Sequence, residues 1–208
     1  MNSLWLTLAV PKGRLFEESL DFLMKIGLIT ERVEEGRKLV VDVGSLRLYL
    51  VKPFDVPVYV ENGVADLGIV GLDVLLERPA DVYRLYDLGF GFCRIAVAGR
   101  PEFFEDYKKS THLKVATKYP NIAREFFSKK GIKTSLVVLN GSVELAPLLG
   151  LSECIVDLVQ TGRTLKENNL IVYEEIGTST AQLICNRVSY RTKRESILKL
   201  VRTLLEVC

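Results

Sequence analysis

Cys154-Ile-Val-Asp-Leu-Val-Gln-Thr-Gly-Arg-Thr-Leu-Lys166 is the stretch from which an α/β fold is read. Cys154-Ile155-Val156 is a short apolar run of the kind that forms a buried strand. Asp157 is predicted at the carboxyl end of that strand. Thr161-Gly162-Arg163-Thr164 then makes a turn, and a helical segment is expected from Thr164. Ligands in open α/β sheets bind outside the carboxyl ends of strands. A turn that opens a helix there aims backbone N–H groups at one point, and the helix dipole favours an anion. Gly162 has no Cβ, so the backbone can approach a phosphate or take positive φ. Thr161 and Thr164 add hydroxyl donors, and Arg163 adds a fixed charge. Asp157 does not suit a phosphate but can accept hydrogen bonds from hydroxyls, as on a ribose. Together they suggest a sugar phosphate. Taken alone, Thr-Gly-Arg-Thr is also what an ordinary strand–turn–helix connection contains, so the rest of the chain has to weigh in.

The 208 residues suit one large domain or two small lobes with ample core. Hydrophobic content of 48% with 26% charged residues describes a folded soluble protein. A net charge of +2 is too small to argue for nucleic acid or an anionic membrane, so local basic groups matter more. No run of about 18 apolar residues offers a membrane span. The N-terminus lacks the pattern of a signal peptide, which leads us to expect a cytoplasmic protein. Cys93, Cys154, Cys185 and Cys208 show no close paired spacing; three sit among apolar neighbours as buried thiols, and no disulfide is implied. His112 is the single histidine, which excludes a multi-histidine zinc site. It lies beside lysine-rich sequence and is expected at the surface.

Along the chain, residues 4–10 form an apolar strand that ends at Pro11-Lys12-Gly13-Arg14. Leu15, Phe16, Leu20, Leu23 and Ile26 then recur at helical spacing. Lys12 and Arg14 are thus a second candidate anion site, or else solvated loop charges. Residues 38–43 and 46–51 are strand-like and joined at Gly44-Ser45 as a hairpin. Lys52 follows a strand and is either a further phosphate candidate or a surface charge. Residues 56–62 read as a helix, 67–70 as a buried strand, 72–77 as a helix after Gly71, and 82–88 as a strand. Gly89-Phe90-Gly91 is a flexible joint. Strands are expected at 94–98, 113–116, 134–139, 170–175 and 181–186, with helices at 101–107, 122–130, 143–149 and 189–207. Gly141-Ser142 is placed to cap the third of these helices, which carries Glu144.

Gly63-Val-Ala-Asp-Leu-Gly-Ile-Val and Gly150-Leu-Ser-Glu-Cys-Ile-Val-Asp follow one plan: helix end, glycine, acid, buried strand. That echo suggests two similar α/β lobes, and ligand sites favour the space between lobes. The expected division is residues 1–90 plus 180–208 as a discontinuous lobe I, and 91–179 as lobe II carrying the phosphoribosyl-binding loop.

Pro11-Lys12-Gly13-Arg14-Leu15, Asp66-Leu-Gly-Ile-Val-Gly71, Val115-Ala-Thr-Lys-Tyr-Pro-Asn-Ile122, Asn140-Gly-Ser-Val-Glu-Leu-Ala-Pro147 and 150–165 together resemble the ATP phosphoribosyltransferase family. The resemblance covers nearly the whole chain. It implies a two-lobed periplasmic-binding-protein-like (type II) α/β fold with a cleft between lobes. It implies an enzyme that joins ATP, through N1 of adenine, to phosphoribosyl pyrophosphate with Mg²⁺, releasing pyrophosphate in the first step of histidine biosynthesis. The chain length resembles the short form, which pairs with a regulatory subunit similar to histidyl-tRNA synthetase in a hetero-octamer. Here Leu158 follows Asp157, unlike the paired acids of the common phosphoribosyltransferase signature.

On that resemblance, Thr161, Gly162, Arg163 and Thr164 would hold the 5-phosphate and Asp157 would orient the ribose hydroxyls. Glu144 would support the loop or touch ribose, or simply be an acid at a helix N-terminus. Lys12, Gly13 and Arg14, with Lys52, would meet the pyrophosphate or ATP phosphates from the other lobe, and lobe closure would unite the two sets. Gly71, Leu72 and Asp73 would line the adenine side. Mg²⁺ would be held mainly by substrate oxygens, with no protein metal site. A non-catalytic bilobal solute-binding or sensor module is the alternative, followed by a phosphoribosyltransferase with another base acceptor.

Overall fold

A computed structural model describes residues 6–34 and 36–207. β1 (Leu6–Pro11) is almost wholly buried and leads through Lys12-Gly13-Arg14 into α1 (Phe16–Lys25). The strand's expected start at Leu4 lies outside the described residues. Leu15, Phe16, Leu20, Leu23 and Ile26 are all buried, as their spacing requires. Glu17 and Glu18 occupy the first turn of α1 and Lys25 the last, in favourable dipole positions. β2 (Val40–Val43) and β3 (Leu46–Val51) form the expected antiparallel hairpin. Its turn is closed by Gly44 at φ +58°, a conformation that glycine adopts at little cost. After a 3-10 turn at Pro53–Asp55 come α2 (Val56–Glu61), β4 (Leu67–Gly71), α3 (Leu72–Glu77) and β5 (Tyr83–Asp87).

The next stretch contains β6 (Cys93–Gly99), a 3-10 turn at Pro101–Phe103, α4 (Phe104–Lys109), β7 (His112–Thr117) and α5 (Pro120–Lys129). It continues through β8 (Lys133–Val138), α6 (Leu145–Leu148), β9 (Cys154–Val159), α7 (Arg163–Glu167) and β10 (Ile171–Ser179). β11 (Ala181–Cys185), α8 (Arg187–Thr192) and α9 (Arg194–Val207) complete the described chain.

Two compact units result: unit 1 is Met1–Gly91 with Thr180–Cys208, and unit 2 is Phe92–Ser179. The sheet of unit 1 has the order β2-β3-β1-β4-β11-β5. β1 runs parallel to β3 and β4, while β11 is antiparallel to β4 and β5. One side is sealed by Leu8, Val10, Phe16, Leu20, Leu48 and Ile197, the other by Ala9, Val56, Val60, Val74 and Ile184. The sheet of unit 2 has the order β10-β6-β9-β7-β8. β7 runs parallel to β8 and β9, while β6 is antiparallel to β9 and β10. Strand for strand, β3-β1-β4-β11-β5 and β8-β7-β9-β6-β10 share neighbours and directions. The sequence echo therefore has a topological counterpart, with β4 and β9 in the same place. In both units the parallel strands end toward their following helices, which concentrates the connecting turns at one end of each sheet.

The structure corrects four local readings. β9 runs on to Val159, because Leu158 and Val159 still pair with Ile95 and Arg94; Asp157 is inside the strand, opposite Ala96, and not at its end. The helix begins at Arg163 and not Thr164. The helix expected over 143–149 is the single turn Leu145–Leu148, preceded by Glu144; Ser142, at φ +47°, gives no side-chain cap. Pro147 has no N–H to extend that turn and Gly150, at φ +71°, ends it. The terminal helix is two helices broken at Lys193. The first starts early because the Asn186 side chain accepts from the N–H groups of Val188 and Ser189, at 2.9 Å each.

Cys93, Cys154 and Cys185 are buried, and burial pushes the Cys154 and Cys185 thiols up to about 12. Cys208 lies outside the described residues. His112 is exposed at the start of β7, with Nε2 3.0 Å from the Ser135 hydroxyl. No described helix is long and apolar enough to cross a membrane.

Candidate functional site

In unit 1 the candidates gather where β1, β3 and β4 end. The Lys12 N–H donates to the Val51 carbonyl at 2.8 Å, so Lys12 and Lys52 leave adjacent strands side by side. Lys12 Nζ donates to the Gly36 carbonyl at 3.2 Å, and Lys52 is exposed. Gly13 takes φ +78°, which turns the chain sharply before α1. Arg14 is exposed, yet its Nη1 donates to the Gly91 carbonyl at 2.8 Å, and the Gly91 N–H donates to Glu18 Oε2 at 2.8 Å. One of the five guanidinium donors is thus spent on the chain itself.

Gly71 is buried at the end of β4, and the Leu72 N–H donates to the Thr180 carbonyl at 2.9 Å. A Cβ on Gly71 would come within 2.2 Å of Asp73 Oδ1. The Asp73 carboxylate is folded onto that glycine and is only 3% exposed. A side chain at position 71 would have to displace the Asp73 carboxylate, which shapes the turn from within.

In unit 2 the candidates gather where β7, β8 and β9 end. Asp157 is half-buried, and its Oδ1 accepts from the Leu158 N–H at 2.8 Å. Gly162 stands before α7 in the left-handed region, at φ +75°. Thr161, Arg163 and Thr164 are exposed. Thr161 Oγ1 accepts from the Arg163 N–H at 3.3 Å, and Arg163 Nε donates to Glu167 Oε1 at 2.7 Å. α7 has five residues, too few for a large dipole. Attraction for an anion there has to come from the turn's own N–H groups, the two threonine hydroxyls and Arg163. Glu144 is half-buried just before α6.

Two residues that sequence reasoning passed over share this end of the sheet. Thr117 closes β7 and is fully buried, and half-buried Lys118 follows it. Thr117 pairs with Val138 as Pro11 pairs with Val51, so Lys118 holds the post of Lys12 in the other unit. The available signal was positional: each lysine directly follows the first parallel strand of its unit.

Two α/β units of matching topology, one inserted into the other, define a bilobal protein of the periplasmic-binding-protein-like type II class. A solved structure titled "The crystal structure of Tv2483 bound to L-arginine" shares that fold at 13% identity, with a TM-score of 0.62 over 97% of this chain and 82% of that one. The particular family follows from closer similarities. A family model described as HisG: ATP phosphoribosyltransferase matches residues 52–206. The ATP phosphoribosyltransferase of Aquifex aeolicus (strain VF5) is 63% identical over 95% of this chain and 92% of its own length. The ATP phosphoribosyl transferase (HisG:HisZ) complex from Thermotoga maritima contains a chain 40% identical, with a TM-score of 0.81 over 97% of this chain and 98% of that one. The chain belongs to the ATP phosphoribosyltransferase family, whose members are glycosyltransferases of the pentosyl class.

Proposed function

We propose that this chain condenses ATP with phosphoribosyl pyrophosphate, giving phosphoribosyl-ATP and pyrophosphate in the first step of histidine biosynthesis. The observation that carries the reading is family membership joined to Asp157 within β9 and the 161–164 turn that follows that strand in unit 2. Adenine N1 attacks C1 of the ribose, the bond from C1 to the pyrophosphate oxygen breaks, and the electron pair leaves with pyrophosphate. Positive charge develops on the sugar, so orientation and stabilisation of the departing anion supply the rate.

In this reading Thr161, Gly162, Arg163 and Thr164 hold the 5-phosphate, and Asp157 orients the ribose hydroxyls. Glu144 supports the neighbouring loop. Lys12, Gly13, Arg14 and Lys52 of unit 1 bind the ATP phosphates or the pyrophosphate. Gly71 and Leu72 line the adenine side, with Asp73 acting through Gly71.

Among the described residues no three His, Cys, Asp or Glu side chains converge to hold a metal. A Mg²⁺ ion would therefore take most of its oxygens from substrate and water, which suits its octahedral, well-hydrated chemistry. When bound, Mg²⁺ neutralises charge on the leaving pyrophosphate.

The Thermotoga maritima relative is solved as a HisG:HisZ complex, and this chain spans 98% of its chain. That supports the short form for this protein, working in the cytoplasm with a regulatory subunit resembling histidyl-tRNA synthetase as a hetero-octamer. Isothermal titration with phosphoribosyl pyrophosphate and with ATP, followed by a pyrophosphate-release assay with Mg²⁺ and the regulatory subunit, tests the reading. Binding of both with release dependent on both is expected. Binding without release would favour a sensor, and release with another nucleotide in place of ATP would change the acceptor.

A further inference from the structure

We infer that Thr117 is a positioning residue for the phosphoribosyl half of the site, an inference that rests on the assignment of Asp157 and the 161–164 turn to the sugar phosphate. Its side chain is 0% exposed at the last position of β7. Oγ1 donates to the Val156 carbonyl at 2.6 Å and accepts from the Tyr119 N–H at 2.8 Å. The Thr117 carbonyl accepts from the Leu139 N–H at 3.0 Å. One residue at the end of β7 therefore bonds to the middle of β9, at Val156, and to Leu139 just past the end of β8.

The bond to Val156 lands on the peptide group that links Val156 to Asp157, so it holds the Asp157 backbone at a fixed height beside β7. The bond from Tyr119 closes a tight turn around Lys118, so the same hydroxyl sets where that cation leaves the sheet. Unit 1 offers a control within the molecule. Pro11 holds the equivalent register position against Val51, and it has no hydroxyl. Closing the strand end of such a sheet does not require this device. Unit 2, which carries the acid assigned to the ribose, has it. The hydroxyl is fully buried, so its removal leaves a carbonyl and an N–H to find new geometry. Displacement of an orienting carboxylate by about an ångström is enough to cost large factors in rate.

The test compares Thr117→Val, which keeps the shape, with Thr117→Ser, which keeps the hydroxyl, in the full chain with the regulatory subunit present. Thr117→Val is expected to lower kcat/KM for phosphoribosyl pyrophosphate about ten- to a hundredfold while KM for ATP stays within about twofold. Thr117→Ser is expected to recover most of that loss. Titration with phosphoribosyl pyrophosphate should show the same order. Thr117→Cys, similar in size and a weak donor, replaces the valine variant if that chain does not fold. A lowered Tm with unchanged kinetic constants, or a serine variant no better than valine, would overturn the positioning role. Asp157→Asn is measured alongside. If it is inactive while Thr117→Val is silent, Thr117 alone loses its role; if Asp157→Asn is also silent, the site assignment falls and this inference falls with it.

Discussion

Asp66 of unit 1 and Glu153 of unit 2 hold the same post and are used differently. Each stands before a central parallel strand. The Asp66 N–H donates to the Thr7 carbonyl at 3.0 Å, and the Thr7 N–H donates back to Asp66 Oδ2 at 2.9 Å. Glu153 repeats this with Lys114, at 2.9 Å through the backbone and 2.5 Å to Oε2. Both acids therefore set the register of a parallel pair by giving an early amide of the neighbouring strand a charged acceptor. Glu153 stays exposed, whereas Asp66 is 4% exposed and takes on more. It also accepts from the Thr7 hydroxyl at 2.9 Å, the Ser189 hydroxyl at 2.7 Å and Lys193 Nζ at 2.8 Å. Burial alone would raise its carboxyl, but the bonds from Lys193, Thr7 and Ser189 hold it below the ordinary range. The difference lies in the appended helices. Unit 1 has to receive α8 and α9, and Lys193 sits at the break between them. A local register device thereby became the anchor for the returning chain.

The largest expected effect concerns which unit carries the reacting sugar. Asp157→Asn should keep the fold by circular dichroism and lose turnover by roughly a thousandfold, the scale seen when one charge-orienting group is removed. Arg14→Ala in unit 1 should lose less, and its titration with phosphoribosyl pyrophosphate should still show binding at unit 2. Near-normal turnover for Asp157→Asn would remove that acid from the site. Abolished sugar-phosphate binding in Arg14→Ala would show that the ligand is not held by unit 2 alone.

The next effect separates the two register acids. Asp66→Ala removes a buried carboxylate together with its bonds to Thr7, Ser189 and the half-buried Lys193, and should cost about 3 kcal/mol in urea unfolding. Glu153→Ala removes an exposed acceptor and should cost a small fraction of that. Equal losses would mean that the contacts to Ser189 and Lys193 add nothing beyond register.

Most of the architecture was legible in the sequence because its strands and helices have clean periodicity. The spacing from Leu15 to Ile26 and the Gly44-Ser45 hairpin describe local physics, and the structure follows them. What could not be read was set by partners distant in sequence. Strand β9 continues past Asp157 because β6 pairs with it, and no feature of Leu158 announces that. The break at Lys193 is likewise hidden, since its partner Asp66 is 127 residues away. For the candidate site, glycines and charges near strand ends were visible; Lys12, Gly13 and Lys52 do follow strands, whereas Asp157 lies inside β9. Thr117 was not, because a threonine at a strand end becomes informative only once Val156 is known to lie beside it.

The smallest effect is a pH dependence that Asp66 should produce. The folded-state pKa of Asp66 is depressed, so between that value and the ordinary carboxylate pKa of about 4 the unfolded chain binds more protons than the folded one. Its contribution to stability is therefore fully present above about pH 4 and fades as pH falls through the folded value. The effect is smaller than that of Asp66→Ala, since protonation weakens the contacts to Lys193, Thr7 and Ser189 without deleting the side chain. Urea midpoints measured between about pH 6 and pH 3 should fall more steeply in the wild-type chain than in Asp66→Ala. If Asp66→Ala kept the wild-type slope, the acid sensitivity would belong to other carboxylates, and the anchoring of α8 and α9 would rest on packing of Ile197, Leu200 and Leu204 against the sheet.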